Sequence, residues 1–446
     1  MSIPSELFGS HFATSEMAAI FADQQTVAYY LEVERALARV QAELGLIPAE
    51  AAAAIEAGAR LERLDWAALL AGIPAAGVPT IPLVQQIIAA VGPAGEWVHF
   101  GATSQDIMDT ALVLQLREAL TIVERDLAEL KVILTGLARS HRDTVMVGRS
   151  QLQQALPITF GLKAAGWLSM ILRHQERLAQ LKPRLLVGQF SGAVGTLASL
   201  GESGLAVQAS LCAALGLGQP LIGWHTARDN LAELAGFLGL VSGTLAKIGY
   251  DIALLAQNEV GEATEAYAPG RGGSSTMPQK RNQLSPQKMM VTGRLTRHQV
   301  ALMLEAMVND HERGTGIWPV EWAALPEAFR LTAVGLAEGR KLLASLQLNP
   351  ERMAANLALS QGTLLAEAVM MALAPHVGRA TAHHLLQEAV AHTVAQNRDL
   401  ASILVEMDSV TRWLNPAEIR RLTDPAHYLG TGGQMIDNVV RAAEQS

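Results

Sequence analysis

The sequence predicts an all-α protein built around a bundle of long helices. Half of its 446 residues are hydrophobic and only 4% are aromatic, and most of the apolar residues are alanine and leucine, which favour helix over strand. In two segments apolar residues recur at alternating spacings of three and four, the pattern of a long helix with one apolar seam. The first seam comprises Leu116, Leu120, Val123, Leu127, Leu130, Leu134 and Leu137, and the second comprises Leu231, Leu234, Leu238, Val241, Leu245, Ile248, Ile252 and Leu255. No segment has a convincing strand pattern.

The elements are expected to fall into three consecutive regions. Residues 1–108 are predicted to form short helices, because prolines at positions 48, 74, 79, 82 and 93 interrupt this region. Residues 109–350 hold the two seam helices and three further apolar helices, which follow Pro157 and span about 286–308 and about 323–346. Residues 351–446 are again predicted as short helices, since proline and glycine punctuate them.

The five long helices are expected to pair between subunits, because their apolar seams would be exposed if the bundle stood alone. The second seam helix also carries glycines at positions 236, 239, 243 and 249. Glycine in a helix interior costs about 1 kcal/mol, so these positions favour close approach of a neighbouring helix.

Composition excludes several classes of function. The net charge is −8 and no basic stripe with interleaved aromatic residues is present, so nucleic acid is not an expected partner. No uninterrupted apolar run reaches the roughly 18 residues of a membrane span, and the first residues lack the pattern of a secretion signal. Cys212 is the only cysteine, and no spacing of His, Asp or Glu resembles a metal site. We expect a cytoplasmic protein without a metal or other cofactor.

The stretch richest in chemistry is a basic loop at residues 270–283, which lies between two of the long helical segments. Its first thirteen residues read Gly-Arg-Gly-Gly-Ser-Ser-Thr-Met-Pro-Gln-Lys-Arg-Asn. Glycine and proline prevent a helix here, which leaves hydroxyls, backbone N–H groups and three cations that suit anion binding. A phosphate loop is excluded because no Gly-Lys-Ser/Thr follows the glycines. On the residues alone, a flexible connection remains the alternative.

Two further segments place polar side chains ahead of predicted helices. Residues 99–106 read His-Phe-Gly-Ala-Thr-Ser-Gln-Asp, and the hydroxyls of Thr103 and Ser104 suit either a helix cap or a cradle for a carboxylate. Residues 148–157 read Gly-Arg-Ser-Gln-Leu-Gln-Gln-Ala-Leu-Pro, and contribute Arg149, Gln151 and Gln154.

The second seam helix has polar segments at both ends. Residues 224–229 read Trp-His-Thr-Ala-Arg-Asp, in which His225 can titrate near neutral pH, whereas Arg228 and Asp229 suggest an ion pair at the helix start or a substrate contact. At the other end Glu259 and Glu262 are expected on one helical face.

The remaining segment, residues 311–322, reads His-Glu-Arg-Gly-Thr-Gly-Ile-Trp-Pro-Val-Glu-Trp. Arg313 in this segment suits a bidentate grip on a carboxylate.

These motifs together resemble the fumarase/aspartase superfamily. Its signature loop has the order Gly-Ser-Ser-x-Met-Pro-x-Lys-x-Asn, and its members also carry His-x-Gly-x-Thr-Ser-x-Asp, as this chain does at residues 99–106. The resemblance covers residues 10–430 and implies a three-domain helical fold with domains 1–108, 109–350 and 351–446. It further implies a homotetramer, active sites shared between subunits, and a small polycarboxylate substrate.

Within the superfamily, the segments at 224–229, 311–322 and 424–430 are most similar to the 3-carboxy-cis,cis-muconate cycloisomerase branch. Fumarases and aspartases carry a histidine at the position of Gln151, and an amide is not a general acid or base. Some cycloisomerases carry a histidine three residues later, where this chain has Gln154. Gln283 replaces a proline that usually follows the signature Lys-x-Asn.

The resemblance implies lactonisation of a carboxymuconate by addition of one carboxylate to a double bond and protonation of the resulting carbanion. In that chemistry Ser274 exchanges the proton, Lys280 and Asn282 stabilise the intermediate, and His225 is a further catalytic group. Substrate contacts are expected from Thr103, Ser104, Arg149, Gln151, Gln154, Ser275, Met277 and Arg313. The alternatives are a lyase or epimerase acting on an N-substituted aspartate, an imino-dicarboxylate or an adenylosuccinate-like substrate, or a cycloisomerase of a sulfonated muconate.

Overall fold

The computed structural model describes residues 6–445, and within them the predicted all-α class is confirmed. Five helices are much longer than most of the others. They are α6 Ser104–Ser140, α7 Phe160–Leu185, α9 Asp229–Leu255, α10 Leu284–Glu305 and α11 Pro319–Ala344. The N-terminal helices are α1 Ser15–Ile20, α2 Asp23–Glu43, α3 Ala49–Gly58, α4 Trp66–Ala76 and α5 Thr80–Val91, and α8 Gly204–Ala214 precedes α9. The C-terminal helices are α12 Pro350–Ala358, α13 Ala366–Val377, α14 Arg379–Gln396, α15 Leu400–Leu404, α16 Asp408–Thr411, α17 Pro416–Leu422 and α18 Gly432–Gln445.

Both apolar seams form as the periodicity predicts. Every residue of the α9 seam is buried, and so is every residue of the α6 seam except Leu137, which is half-buried near the end of its helix. The helix α9 is also the one described helix that is long and apolar enough, on its own, to cross a membrane. Its buried seam matches the core helix of a bundle.

The chain clusters into two compact units. The first gathers residues up to Leu127 together with His174–Ala246 and Val291–Ala337, and the second gathers Ala128–Arg173, Lys247–Met290 and the residues from Glu338 onward. Each of the five long helices contributes residues to both units. The division into three sequential domains stays a prediction.

In the first unit a buried ion triad joins three of the long helices. The guanidinium of Arg228, just before α9, contacts Asp109 of α6 at 2.7 Å and Glu321 of α11 at 2.5 Å. All three side chains are at most 1% exposed. Of the two alternatives for Arg228, an ion pair at the helix start or a substrate contact, the structure shows an ion pair, but its partners are Asp109 and Glu321 instead of Asp229.

In the second unit polar contacts also join the long helices. Trp167 of α7 donates to the Asp251 carboxylate of α9 at 3.0 Å, and Lys288 of α10 pairs with Glu338 of α11 at 2.7 Å.

The glycines of α9 divide between two kinds of position. A Cβ atom at Gly239 would lie 2.7 Å from Val300, and one at Gly249 would lie 3.0 Å from Met289, so both allow α10 to approach closely. At Gly236 and Gly243 a Cβ atom would meet nothing within 4 Å in this chain, so close approach of a helix at these two positions stays a prediction for the interface with another subunit.

The structure corrects three further expectations from the sequence. Among residues 6–445 four short strands form, β1 Val145–Ser150 with β2 Gln153–Thr159 and β3 Ala263–Thr264 with β4 Gln347–Leu348, and both pairs are antiparallel. The N-terminal region contains the 21-residue helix α2, and α4 continues through Pro74 near its end. The helix α9 ends at Leu255, so Glu259 and Glu262 follow it and share no helical face.

Candidate active site

In the second unit, the loop at residues 270–283 holds the Ser274 hydroxyl as a hydrogen-bond acceptor. The backbone N–H groups of Met277 and Thr276 donate to Ser274 Oγ at 3.1 and 3.3 Å. Hydrogen bonds to an oxygen favour its charged form, so this turn stabilises an alkoxide at Ser274. The half-buried Ser274 precedes Ser275 and Met277, which are exposed.

The loop is closed at its base by backbone contacts. Asn282 N–H donates to the Gly272 carbonyl oxygen at 2.8 Å, and the Asn282 amide reaches the Gly273 carbonyl at 3.5 Å. Gly272 has a φ of +68°, and a Cβ atom there would lie 2.6 Å from the Asn282 carbonyl oxygen. Only glycine therefore fits at this crossing point.

The three cations of the loop have different surroundings. Arg271 binds Glu265 at 2.7 Å and Glu338 at 3.2 Å, so its charge is engaged within the protein. Arg281 stacks over the Tyr267 ring at 3.8 Å. Lys280 is exposed and remains the cation best placed to meet an anionic substrate.

Glu265 organises the base of the loop. Its carboxylate accepts hydrogen bonds from Arg271, from the Ser285 hydroxyl at 2.7 Å and from the Ser285 N–H at 3.1 Å. Burial raises the pKa of Glu265, but the hydrogen bonds from Ser285 and Arg271 outweigh burial and hold this pKa below its usual value. Glu265 is thus ionised at neutral pH and anchors both ends of the loop.

The segment that contains Arg149, Gln151 and Gln154 forms a β-hairpin instead of a loop that leads into a helix. Strand β1 ends at Ser150, which pairs with Gln153, so that Gln151 and Leu152 form a two-residue turn. Both have positive φ angles, +50° and +65°, the geometry of a type I′ hairpin turn, which usually contains Asn or Gly. Gln151 is exposed at this strained tip.

Two candidate substrate contacts on the hairpin are bound to the protein itself. Arg149 makes a bidentate pair with Glu262, at 2.7 and 2.8 Å, and the Glu262 side chain is fully buried. The amide of Gln154 donates to the Asn356 carbonyl oxygen at 3.3 Å, and Asn356 also donates to Glu262 at 2.8 Å. Arg149 therefore neutralises a buried carboxylate in this structure.

In the first unit the start of α6 is organised by Asp106. One carboxylate oxygen accepts the Ser191 N–H at 2.9 Å and lies 2.8 Å from His225 Nε2. The other oxygen accepts the N–H groups of Gly192 and Thr103, both at 3.0 Å. Because an ionised carboxylate only accepts, the proton of His225 belongs on Nε2, which leaves Nδ1 as the basic nitrogen.

The Arg313 segment lies against this helix start. Arg313 Nη1 donates to the Thr103 hydroxyl at 2.9 Å, and the Thr226 hydroxyl donates to the His311 carbonyl oxygen at 3.0 Å. Thr103 and Ser104 are half-buried, whereas His225 is only 4% exposed. The first unit thus contains Thr103, Ser104, His225 and Arg313, and the second unit contains the other candidate residues.

Three acidic residues that hold polar groups of these segments are not among the candidates that the sequence indicates. Asp106 lies within the segment at 99–106, and Glu265 lies shortly before the loop. Glu34 binds His99 Nδ1 at 2.5 Å and is 1% exposed. Burial lowers the pKa of His99, but the charge and hydrogen bond of Glu34 outweigh it and raise this pKa. No spacing signal connects Glu34 with His99, because 65 residues separate them.

These groups can bind carboxylates and transfer a proton. Thr103, Ser104, Arg313 and Lys280 offer donors to carboxylate oxygens, whereas Ser274 and His225 can exchange protons. Among residues 6–445 no group of three or more His, Cys, Asp or Glu side chains is arranged to hold a metal ion.

Comparison with known proteins identifies the family. Residues 10–294 match the family described as Lyase, and residues 362–439 match the adenylosuccinate lyase C-terminus. The 3-carboxy-cis,cis-muconate cycloisomerase of Pseudomonas aeruginosa is 45% identical, with 98% of this chain and 96% of the relative covered. The trans-aconitate decarboxylase 1 of Mycosarcoma maydis is 43% identical over 96% of this chain and 87% of that protein.

A solved structure agrees with these matches. The crystal structure of 3-carboxy-cis,cis-muconate lactonizing enzyme from Pseudomonas putida has a TM-score of 0.94 and 43% identity, with 99% of each chain covered. The chain therefore belongs to the lyase family of the fumarase/aspartase superfamily.

Proposed function

We propose that the protein is a cycloisomerase that lactonises 3-carboxy-cis,cis-muconate to a carboxymuconolactone, a step of aromatic-acid breakdown. The proposal rests mainly on the Ser274 hydroxyl, which accepts hydrogen bonds from two backbone N–H groups in a loop that resembles the signature loop of the superfamily. The similarity to two proteins of that name or activity, at 43–45% identity over the whole chain, supports this choice of substrate.

In the proposed reaction one substrate carboxylate adds through oxygen to the far double bond. The electron pair of that bond moves to the neighbouring carbon, beside another carboxylate, and a proton then adds there to complete the lactone. Holding the carboxylate against the alkene in one pocket supplies the proximity effect, up to about 7–11 kcal/mol in favourable cases. Lys280, Asn282 and the loop N–H groups stabilise the dianionic intermediate.

Ser274 is the group that we propose to exchange the proton at carbon. A free serine hydroxyl is a weak acid and base, but two N–H donors and the positive charge that Lys280 adds to the same loop favour its alkoxide. His225, with Nε2 directed at Asp106, offers Nδ1 as a second proton-exchanging site. In the first unit Thr103, Ser104 and Arg313 are proposed to bind substrate carboxylates. In the second unit the proposed substrate contacts are Gln151, Gln154, Arg149, Ser275 and Met277.

We further propose a cytoplasmic homotetramer with active sites shared between subunits. The α9 face that carries the open Gly236 and Gly243 also exposes Leu240 and Tyr250, and the neighbouring helix α10 exposes Leu302 and Leu304. Exposed apolar side chains of this kind on bundle helices suit pairing with another copy. Light scattering on the purified protein tests the stoichiometry, and a monomer at micromolar concentration would contradict it.

The activity is tested by the ultraviolet absorbance of the muconate, which is lost when the conjugated diene closes to the lactone. Ser274→Ala is expected to lower kcat by about 10²-fold or more, the usual effect of removing an acid–base group, with an unchanged circular dichroism spectrum. Ser360→Ala, which removes a hydroxyl that contacts only its own helix end at the Leu357 carbonyl, is the matched control. A Ser274→Ala variant with near-normal kcat would contradict the proposal.

A second candidate function is favoured by one comparison, the 43% identity to a trans-aconitate decarboxylase. That reaction also forms negative charge beside a carboxylate, so the same loop would serve it. Incubation with trans-aconitate and detection of carbon dioxide separates the two functions.

A further inference from the structure

Gln283 forms a tether at the exit of the signature loop. Its amide oxygen accepts the backbone N–H of Glu265 at 2.7 Å. The side chain is half-buried, and the residue immediately precedes α10. A proline at this position, as the superfamily usually has, carries no side-chain acceptor and would leave that N–H without this bond.

The residue that Gln283 holds belongs to a rigid segment. Residues 262–265 begin with the fully buried Glu262, which Arg149 binds bidentately, and continue through strand β3, which pairs with β4. Glu265 then binds Arg271 at the entrance of the loop and Ser285 at its exit. The Gln283 bond therefore fixes the exit of the loop to the same segment that fixes its entrance.

Between these anchors the loop has few other attachments. The residues from 273 to 282 are exposed except Ser274, and they are joined at the base by Asn282 with Gly272 and Gly273. Arg281 adds a stacking contact to Tyr267, which lies two residues after Glu265. The position of Ser274 thus depends on a small number of contacts, of which the Gln283 tether is one.

We propose that Gln283 is a positioning residue, which orders the signature loop through Glu265 and thereby sets the rate at which Ser274 exchanges its proton. The inference rests on the proposed function for its effect on kcat, whereas its effect on loop order is independent of any substrate. In this chain, which departs from the superfamily at position 283, the hydrogen bond of the Gln283 side chain thus replaces the backbone restriction that proline would impose.

The test compares three variants of the full-length protein. Gln283→Met keeps the length of the side chain and removes the acceptor, Gln283→Glu keeps an acceptor oxygen, and Gln279→Met makes the same exchange at an exposed loop position. Trypsin cleaves after Lys280 and Arg281, and mass spectrometry identifies the cuts. Loss of one hydrogen bond is expected to accelerate cleavage there about 3- to 10-fold in Gln283→Met, and Gln279→Met and Gln283→Glu are expected to remain within about 2-fold of the wild type.

Kinetics separate positioning from simple loop order. In Gln283→Met kcat is expected to fall about 3- to 10-fold while KM changes little, because Thr103 and Arg313 still bind the carboxylates, and Gln283→Glu is expected to restore kcat. Equal cleavage of Gln283→Met and wild type overturns the tether, and an unchanged kcat overturns the positioning role. If the wild type does not convert carboxymuconate, the proposed function is wrong and the tether is unaffected. The kcat comparison is then made on the polycarboxylate that the protein does convert. The comparison of trypsin cleavage needs no substrate and stays the same.

Discussion

Asp106→Asn is expected to move the ring proton of His225 from Nε2 to Nδ1, and to inactivate the protein without unfolding it. The native carboxylate accepts four hydrogen bonds, from His225 and Ser191 on one oxygen and from Gly192 and Thr103 on the other. An amide has one accepting oxygen and one donating NH₂ group, so it cannot satisfy four donors.

The structure sets the magnitude of this effect. If the amide oxygen faces Ser191 and His225, the NH₂ group faces the N–H donors of Gly192 and Thr103 and both of those hydrogen bonds are lost. At about 1.5–3 kcal/mol for each hydrogen bond to a charged group, the protein then loses about 3–6 kcal/mol of stability. If the amide is reversed, only the Ser191 N–H is lost, at about 1.5–3 kcal/mol. The NH₂ group then donates to His225 Nε2, provided that the ring proton moves to Nδ1. The reversed arrangement is therefore preferred, and it removes the basic nitrogen from Nδ1.

Two measurements check this prediction. Guanidinium unfolding followed by tryptophan fluorescence is expected to show a loss of about 1.5–3 kcal/mol, and kcat is expected to fall about 10²-fold or more. The matched control is Asp143→Asn at an exposed carboxylate, which is expected to change stability by less than about 0.5 kcal/mol. If Asp106→Asn behaves like Asp143→Asn in both assays, Asp106 does not fix the ring proton of His225 on Nε2.

Two further predictions concern the buried charges. Arg228→Met leaves the Asp109 and Glu321 carboxylates buried without their cation, and is expected to lower the free energy of unfolding by about 3–5 kcal/mol. The control Arg184→Met removes an exposed pair with Glu233 and is expected to cost about 1 kcal/mol or less. Equal losses of the two variants in denaturant titrations would contradict the role of the triad. Glu265→Gln is expected to lower the melting temperature at pH 7, and the difference from wild type is expected to shrink as the pH falls below the ordinary carboxyl value of 4.5. The sign follows because a carboxyl group with a lowered pKa contributes stability above its ordinary pKa and loses it as the pH falls through the folded value. A difference that grows on acidification would rule out this role of Glu265.

The helical architecture was predictable because its signal is periodic and local. The seams of α6 and α9 require only residues three or four apart, and all but Leu137 of the predicted seam residues are buried. The chemistry of the signature loop was similarly local, since the donors to Ser274 lie two and three residues away.

The contacts that the sequence did not reveal join residues that are far apart in the chain. His225 and Asp106 are separated by 119 positions, as are Arg228 and Asp109, so no spacing rule connects them. The hairpin at Gln151 and Leu152 escaped prediction for a different reason, because its turn carries no Asn or Gly. Gln283 was recognised as a departure from the superfamily, but its hydrogen bond to Glu265 N–H depends on β3 lying beside the loop exit.

Proton NMR of the product formed from 3-carboxy-cis,cis-muconate in D₂O shows directly whether a carbanion is protonated during lactonisation. The expected product is a carboxymuconolactone that carries a single deuterium, at the carbon beside the carboxylate where the intermediate is protonated. A product formed by loss of carbon dioxide, recovery of unchanged muconate, or a lactone without deuterium would contradict this mechanism.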